Sequence, residues 1–161
     1  MQFTLPTLSI LRAYEAFIAS DLTHAPIWHT LADHINKEYD TLVKYRALPL
    51  IEIVPQEEPY ADIDEMRSDY LKRRLKISTL NCEHPAFSRQ TNIRFRVLHD
   101  LTHCVLNVGF DEAGEYATYL HQSHGLSQEL RQALYTEIVI QASYRIHFGT
   151  FPEQKLFLGG Q

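Results

Sequence analysis

The sequence predicts an all-α protein, folded as a single domain with a bundle of about six helices. Apolar residues recur with a 3.6-residue period through most of the chain, and an extended pattern is confined to residues 48–60. A chain of 161 residues with 45% hydrophobic content can build one core but is short for two domains. We therefore expect one helical domain over residues 1–161, with a helical hairpin at 1–47 and a motif-bearing core at 57–148.

The first half of the chain is expected to contain three helices, with a proline-rich segment between the second and the third. Three prolines within residues 48–60 keep that segment extended, with room for a short strand. Asp62 followed by Glu65 is the pattern of a capping box and opens the third helix. The predicted helices run over residues 7–20, from Pro26 to about Arg46, and from Asp62 to about Ile77.

Glycines and capping residues divide the second half of the chain into three further helices. Gly109 is expected to end the fourth helix, and Gly125 separates the fifth helix from the sixth. Acidic or hydroxyl side chains stand where the fifth and sixth helices should begin. The predicted helices run from about Thr91 to Val108, from Asp111 or Glu112 to about Ser123, and from Ser127 to about His147.

Charge and cysteine usage narrow the class of protein. The net charge is -5 and no basic stripe is present, so we expect no nucleic-acid partner. Cys82 and Cys104 have no disulfide or metal-type spacing, which favours a reducing cytoplasm. The N-terminus lacks the pattern of a signal peptide, and no apolar run approaches the roughly 18 residues of a transmembrane segment. A small-molecule substrate is the expected partner, and the aromatic-rich N-terminal helices could form a homodimer face.

The fourth predicted helix carries one polar stripe on an otherwise apolar surface. Solvent-facing helices favour Lys, Glu and Gln, and residues 91–108 contain none of them. The stripe is therefore expected to face a cleft, where charges must be paired, hydrogen-bonded or bound to metal. A solvated face is the alternative. At about 100° per residue, the stripe consists of Asn92, Arg96, His99, Asp100, His103 and Asn107.

Histidines and carboxylates on this stripe predict a metal site. His99 and His103 are four residues apart, so both imidazoles project from one helical face and can hold one ion. Glu115 follows a short turn and can return toward His103 from the next helix. Asp100 is expected either as a further ligand or as a group that orients a histidine. The ion would be divalent, and mixed ligation of this kind suits zinc, iron, manganese or magnesium.

Three side chains are candidates for catalysis beside such an ion. Arg96 lies one turn before Asp100 and could bind a carboxylate or phosphate of the substrate. Asp100 could act as a base, and Glu137 could act as general acid or base from the apolar sixth helix. For Glu137, an internal hydrogen bond with Gln141, one turn later, is the alternative.

The predicted ligands carry a resemblance to a known family. His99-Asp100-x-x-His103, followed by eleven residues and Glu115, resembles the metal-binding signature of an all-helical ubiquinone-biosynthesis family. That family is thought to act on a prenylated benzoquinone precursor. The resemblance covers 17 residues and implies metal binding by this motif.

A longer pattern, over about residues 57–145, is similar to that of an uncharacterised family of bacterial and phage-encoded domains. That family has a glycine where this chain has Thr102. The resemblance implies no reaction, but it includes the same candidate site residues. The shared positions in the second half are His84, Pro85, Asn92, Phe95, Arg96, His99, Asp100, His103, Phe110, Gly114, Glu115, Thr136, Glu137 and Gln141.

The His99-Asp100 doublet is also similar to the metal-binding doublet of HD-domain phosphohydrolases. An upstream His and a downstream Asp complete the site in that family. His84 could serve upstream, but Asp111 is the last aspartate of the chain and lies only eleven residues after the doublet. Glu137 would have to take the downstream place.

Two classes of function follow from these residues. The first is a metal-dependent enzyme with the ion on a buried helix face. The second is a metal-free binding protein, in which Arg96 forms a buried salt bridge with Asp100 and Glu115 and the histidines complete the network. A structural zinc site is less favoured because such sites usually have four ligands rich in cysteine.

Overall fold

The computed structural model describes residues 26–152. Within that range the fold is mostly helical, with one two-stranded parallel sheet. No helix in this range is both long and apolar enough to cross a bilayer. In chain order the elements are α1 (Ile27–Lys44), β1 (Leu50–Val54), α2 (Ile63–Leu71), β2 (Arg74–Ser78), α3 (Arg89–Leu106), α4 (Glu112–Gln122), α5 (Gln128–Tyr135), a π-helical turn (Thr136–Ile140) and α6 (Gln141–Phe148).

The predicted all-α class is confirmed only as a mostly helical fold. The last three elements continue into one another, so residues 26–152 contain five separate helices, whereas about six were predicted for the whole chain. The first predicted helix, residues 7–20, lies outside the described residues, so only the second helix of the predicted hairpin at 1–47 is described, as α1. The helix α3 ends at Leu106, with Asn107 in the left-handed conformation, before the predicted stop at Gly109.

The third predicted helix is shorter in the structure than the sequence predicts. Asp62 caps α2 as predicted, since its Oδ1 accepts a 2.9 Å hydrogen bond from the Glu65 N–H, but the helix ends at Leu71 instead of Ile77. Arg73, at φ 61°, turns the chain directly into β2. Leu75 and Ile77 of β2 are fully buried while their neighbours are more exposed, which is the alternation of a strand.

The two strands form a β-α-β unit across α2. They pair in parallel, with Leu50 opposite Arg74 and Val54 opposite Ser78. Arg73 links the start of β2 to the segment before β1, because its Nη2 donates hydrogen bonds to the carbonyls of Arg46 (3.2 Å) and Leu48 (2.9 Å). The unit therefore covers one side of α3 with a sheet and a helix.

The helix α3 lies between two apolar clusters. On one side Phe95 and Leu98 pack with α1 and the long C-terminal helix. On the other side Val97, Leu101 and Cys104 pack with the β-α-β unit. Cys104 is 1% exposed and packs as a small apolar side chain. Because both sides are covered, the polar stripe of α3 faces the gap between the clusters.

A contact between two glycines sets the position of α4 against the end of α3. Asp111 caps α4 by accepting a 2.8 Å hydrogen bond from the Gly114 N–H. A Cβ atom at Gly114 would lie 1.8 Å from the Gly109 carbonyl oxygen, so only glycine fits there. This close approach brings Glu115, the next residue, toward the polar stripe of α3.

We expect Gly114→Ala to destabilise the protein by about 2 kcal/mol, because α4 must move away from Gly109. In an unconstrained helix the same substitution would stabilise by up to about 1 kcal/mol, so the sign is diagnostic. Gly109→Ala is the control, since a Cβ there meets no atom within 4 Å. Urea unfolding of both variants measures the effect, and equal stability of the two would contradict this account of the contact.

Candidate metal centre

Three of the predicted ligands meet at one point. His99 and His103 present their Nε2 atoms 3.1 Å apart from successive turns of α3. Glu115 of α4 places Oε2 3.1 Å from His99 Nε2 and Oε1 3.4 Å from His103 Nε2. Within residues 26–152 this is the one group of three or more potential ligands close enough to share an ion.

Both imidazoles are oriented by hydrogen bonds at Nδ1. His103 Nδ1 lies 3.1 Å from the Val108 carbonyl oxygen, in the turn after α3. His99 Nδ1 lies 3.2 Å from Gln122 Oε1, near the end of α4. Because both partners are acceptors, the hydrogen-bond network assigns a hydrogen to each Nδ1. The Nε2 lone pairs then point into the cluster, as metal-binding histidines present them.

The cluster contains more acceptors than donors, so it needs a cation. Two Nε2 lone pairs and a carboxylate repel one another at these distances unless a proton or metal ion lies between them. Burial by itself would lower the pKa of His99, but the charge and hydrogen bond of Glu115 outweigh it and raise the pKa to about 9. Burial would raise the pKa of Glu115, yet the histidines lower it to about 2. In the absence of a metal ion, these opposite shifts favour a proton shared between the histidines and Glu115 at neutral pH.

Asp100, the fourth predicted ligand, lies beside the cluster and not within it. Its carboxylate accepts no hydrogen bond from any described residue, and it lines the adjacent cavity. Burial raises the pKa of Asp100 to about 6, although His99 and His103 act in the opposite direction. The structure therefore brings together His99, His103 and Glu115, with Asp100 at their edge.

Arg96 does not form the salt bridge that the metal-free hypothesis requires. Its Nη1 donates to the Ser78 carbonyl at 2.9 Å, and its Nη2 donates to the Asn81 carbonyl at 2.7 Å. Asp100 and Glu115 are not its ion-pair partners. Arg96 thus fastens the end of β2 and the following loop to α3, and it lines the cavity from that position.

Glu137 forms a second polar cluster on the π-helical turn. Its Oε1 lies 3.0 Å from His84 Nε2 and accepts a 3.2 Å hydrogen bond from Gln141 Nε2. The predicted pairing of Glu137 with Gln141 is therefore present. His84 pairs with Glu137 and not with the His99-Asp100 doublet, an arrangement unlike the ligand set expected for an HD-type site.

One cavity of about 600 Å³ joins the two clusters. His99, Asp100, His103 and Glu115 line one part of it, and Glu137 lines another. Most of the remaining wall is apolar, which suits an organic substrate. The apolar lining side chains include Met66, Phe95, Phe110, Ile138 and Phe151.

Sequence reasoning missed the groups that orient the site. Gln122 lies two helical turns after Glu115, so the spacing could have placed both on one face of α4. The Val108 carbonyl had no comparable signal, because its position depends on how the turn after α3 folds back. The sequence brings His84 and Glu137 together only as candidate ligands around the His99-Asp100 doublet, and their direct contact depends on the loop that carries His84.

No protein-family model matches the chain, and comparisons with curated proteins and with solved structures find no match either. The resemblances drawn from the motif therefore stay predictions. The function has to be argued from the geometry of the cavity and its two clusters.

The raised pKa of His99 predicts how the stability of the metal-free protein changes with pH. A raised pKa contributes stability below the unfolded value, about 6.5, and that stability is lost as pH rises toward about 9. We expect the unfolding free energy of chelator-treated protein to fall more steeply over this range than that of His99→Gln. Urea unfolding between pH 6 and pH 9 measures the difference, with His34→Gln on α1 as control. Parallel curves for wild type and His99→Gln would contradict the assignment.

Proposed function

We propose that the protein is a metal-dependent enzyme that binds a divalent ion through His99, His103 and Glu115. The observation that supports this most directly is the convergence of two Nε2 lone pairs and a carboxylate, with each imidazole fixed at Nδ1. Three protein ligands leave coordination positions open, as catalytic sites require and closed structural sites do not. The cavity beside them offers room for a small organic substrate.

The ligand set favours a transition metal. Imidazole nitrogens suit zinc, iron and related ions, whereas magnesium prefers oxygen ligands and water. When bound, such an ion supplies Lewis acidity, which polarises a carbonyl or phosphoryl oxygen or acidifies a water molecule. The substrate class is thus one that contains such an oxygen.

Asp100 is the proposed proton acceptor. It lies next to His99 in the chain, lines the cavity, and accepts no hydrogen bond from the residues that the structure describes. Burial raises the pKa of its carboxyl group toward the neutral range in which a general base is most effective. Arg96 supports the cavity wall through its bonds to the loop after β2.

The metal-free network is the competing function. A shared proton can neutralise the cluster of His99, His103 and Glu115, and then the same residues simply hold α4 against α3. Metal content separates the two functions, because only the enzyme requires an ion in place of the proton.

We expect untagged protein to contain close to one transition-metal ion per chain, because all three ligands are preoriented. His103→Ala and Glu115→Ala should each lose the ion, since removal of a ligand leaves only two. His34→Ala is the matched control, because His34 also pairs with a glutamate, Glu38, but does not line the cavity. Elemental analysis by mass spectrometry measures the content. A wild type that contains no metal and takes up none would support the network instead.

We expect Asp100→Asn to keep the metal and lose activity. Loss of a general base typically costs about 100-fold or more in rate. Hydrolysis of p-nitrophenyl acetate and p-nitrophenyl phosphate by metal-loaded protein is the first assay, with exposed Asp64→Asn as control. Unchanged hydrolysis by Asp100→Asn, with metal present, would exclude Asp100 as the proton acceptor.

A further inference from the structure

The cavity contains a buried carboxylate that the metal centre does not use. Glu137 lies on the π-helical turn, and its side chain is only 5% exposed. Single π-helical turns within α-helices are frequent at functional sites. The side chain nevertheless lines the cavity, so a molecule bound there can reach it.

One oxygen of this carboxylate is occupied and the other is free. Oε1 receives His84 Nε2 at 3.0 Å and Gln141 Nε2 at 3.2 Å, and these bonds stabilise the anion and fix its orientation. No described residue donates a hydrogen bond to Oε2. Oε2 is not one of the fully buried unpaired atoms, so it is the oxygen of Glu137 that remains open to the cavity and can accept a hydrogen bond from a bound molecule.

His84 does not neutralise this anion. Its Nδ1 accepts hydrogen bonds from the N–H groups of Ala86 (3.1 Å) and Phe87 (3.0 Å), so its one ring hydrogen lies on Nε2. The ring also stacks on Phe87, with centroids 3.9 Å apart, which holds it in this orientation. His84 therefore acts as a neutral donor to Glu137.

The arginines that line the cavity do not neutralise Glu137 either. Arg96 donates to two backbone carbonyls at the other wall. Arg145 pairs with Glu58 and lies 4.0 Å from Glu57. Glu137 is thus a buried anion without a cationic partner among the described side chains.

We propose that Glu137 binds a protonated amine of the substrate through its free Oε2. His84 and Gln141 are positioning residues that keep the other oxygen occupied and the carboxylate in place. The apolar body of the substrate would contact Phe95 and Ile138, which line the same cavity. The proposal rests on the proposed function only for the reaction at the metal centre, since the amine site is defined by different residues.

The test compares two probes that share a hexyl chain and differ in the head group, which is a cationic ammonium in one and a neutral hydroxyl in the other. Calorimetry with n-hexylamine, which is protonated at pH 7, and with 1-hexanol measures binding to the purified protein. A charge-assisted hydrogen bond inside the cavity should favour the amine by at least about tenfold. Glu137→Gln, which keeps the shape of the side chain, should abolish that preference. Glu83→Gln, at an 85% exposed side chain, should retain it.

Repeating the titration after chelation removes direct coordination of the amine by a metal. Equal binding of the two probes to wild type, or a preference that survives in Glu137→Gln, would overturn the amine site. Metal content measured on the same samples separates the two proposals. Metal without amine preference refutes the amine site alone, whereas amine preference without metal supports it and refutes the metal enzyme.

Discussion

The whole arrangement depends on holding three hydrogen-bond acceptors against one another. His99, His103 and Glu115 lie within 3.1–3.4 Å of one another because their helices are held together and because a cation, either a proton or a metal ion, can be shared between them. Apolar packing on both sides fixes α3, and the contact between Gly109 and Gly114 fixes α4. Burial of the apolar side chains around α3 thus stabilises the position of a small polar cluster that requires a cation.

Local signals in the sequence were sufficient to predict several helix caps, the polar stripe of α3 and the approach of Glu115 to it. Asp62, Asp111 and Ser127 each cap a helix as their positions predicted, because capping depends on residues three apart. The polar stripe was recognisable because helical geometry alone determines which residues of α3 share a face. Glu115 followed from the short turn between two helices.

Other features depend on contacts that are distant in the chain. The sequence predicts a helix across β2 because Arg74 and Lys76 are compatible with both a helix and a strand. The paired strand β1 lies 24 residues earlier in the chain, so the pairing leaves no local signal. The sequence suggests an anionic partner for Arg96, either a substrate group or Asp100 with Glu115. In the structure Arg96 donates to the carbonyls of Ser78 and Asn81, which carry no sequence signature. The π-helical turn likewise follows an ordinary helical pattern of apolar residues.

That turn makes one wall of the cavity sensitive to chain length. An α-helix that contains one π turn holds an extra residue relative to a regular helix, and such insertions arise by a single codon event. Deleting one residue within Thr136–Ile140 would restore the regular helix while the helical segments on either side kept nearly the same faces toward their neighbours, because the π turn already accommodates the extra residue. Only the wall formed by the turn itself, including Glu137, would be rearranged, while the Ser127 cap and the candidate ligands on α3 and α4 stayed in place. A change of one residue could in this way alter the shape of the cavity without altering the cluster of His99, His103 and Glu115.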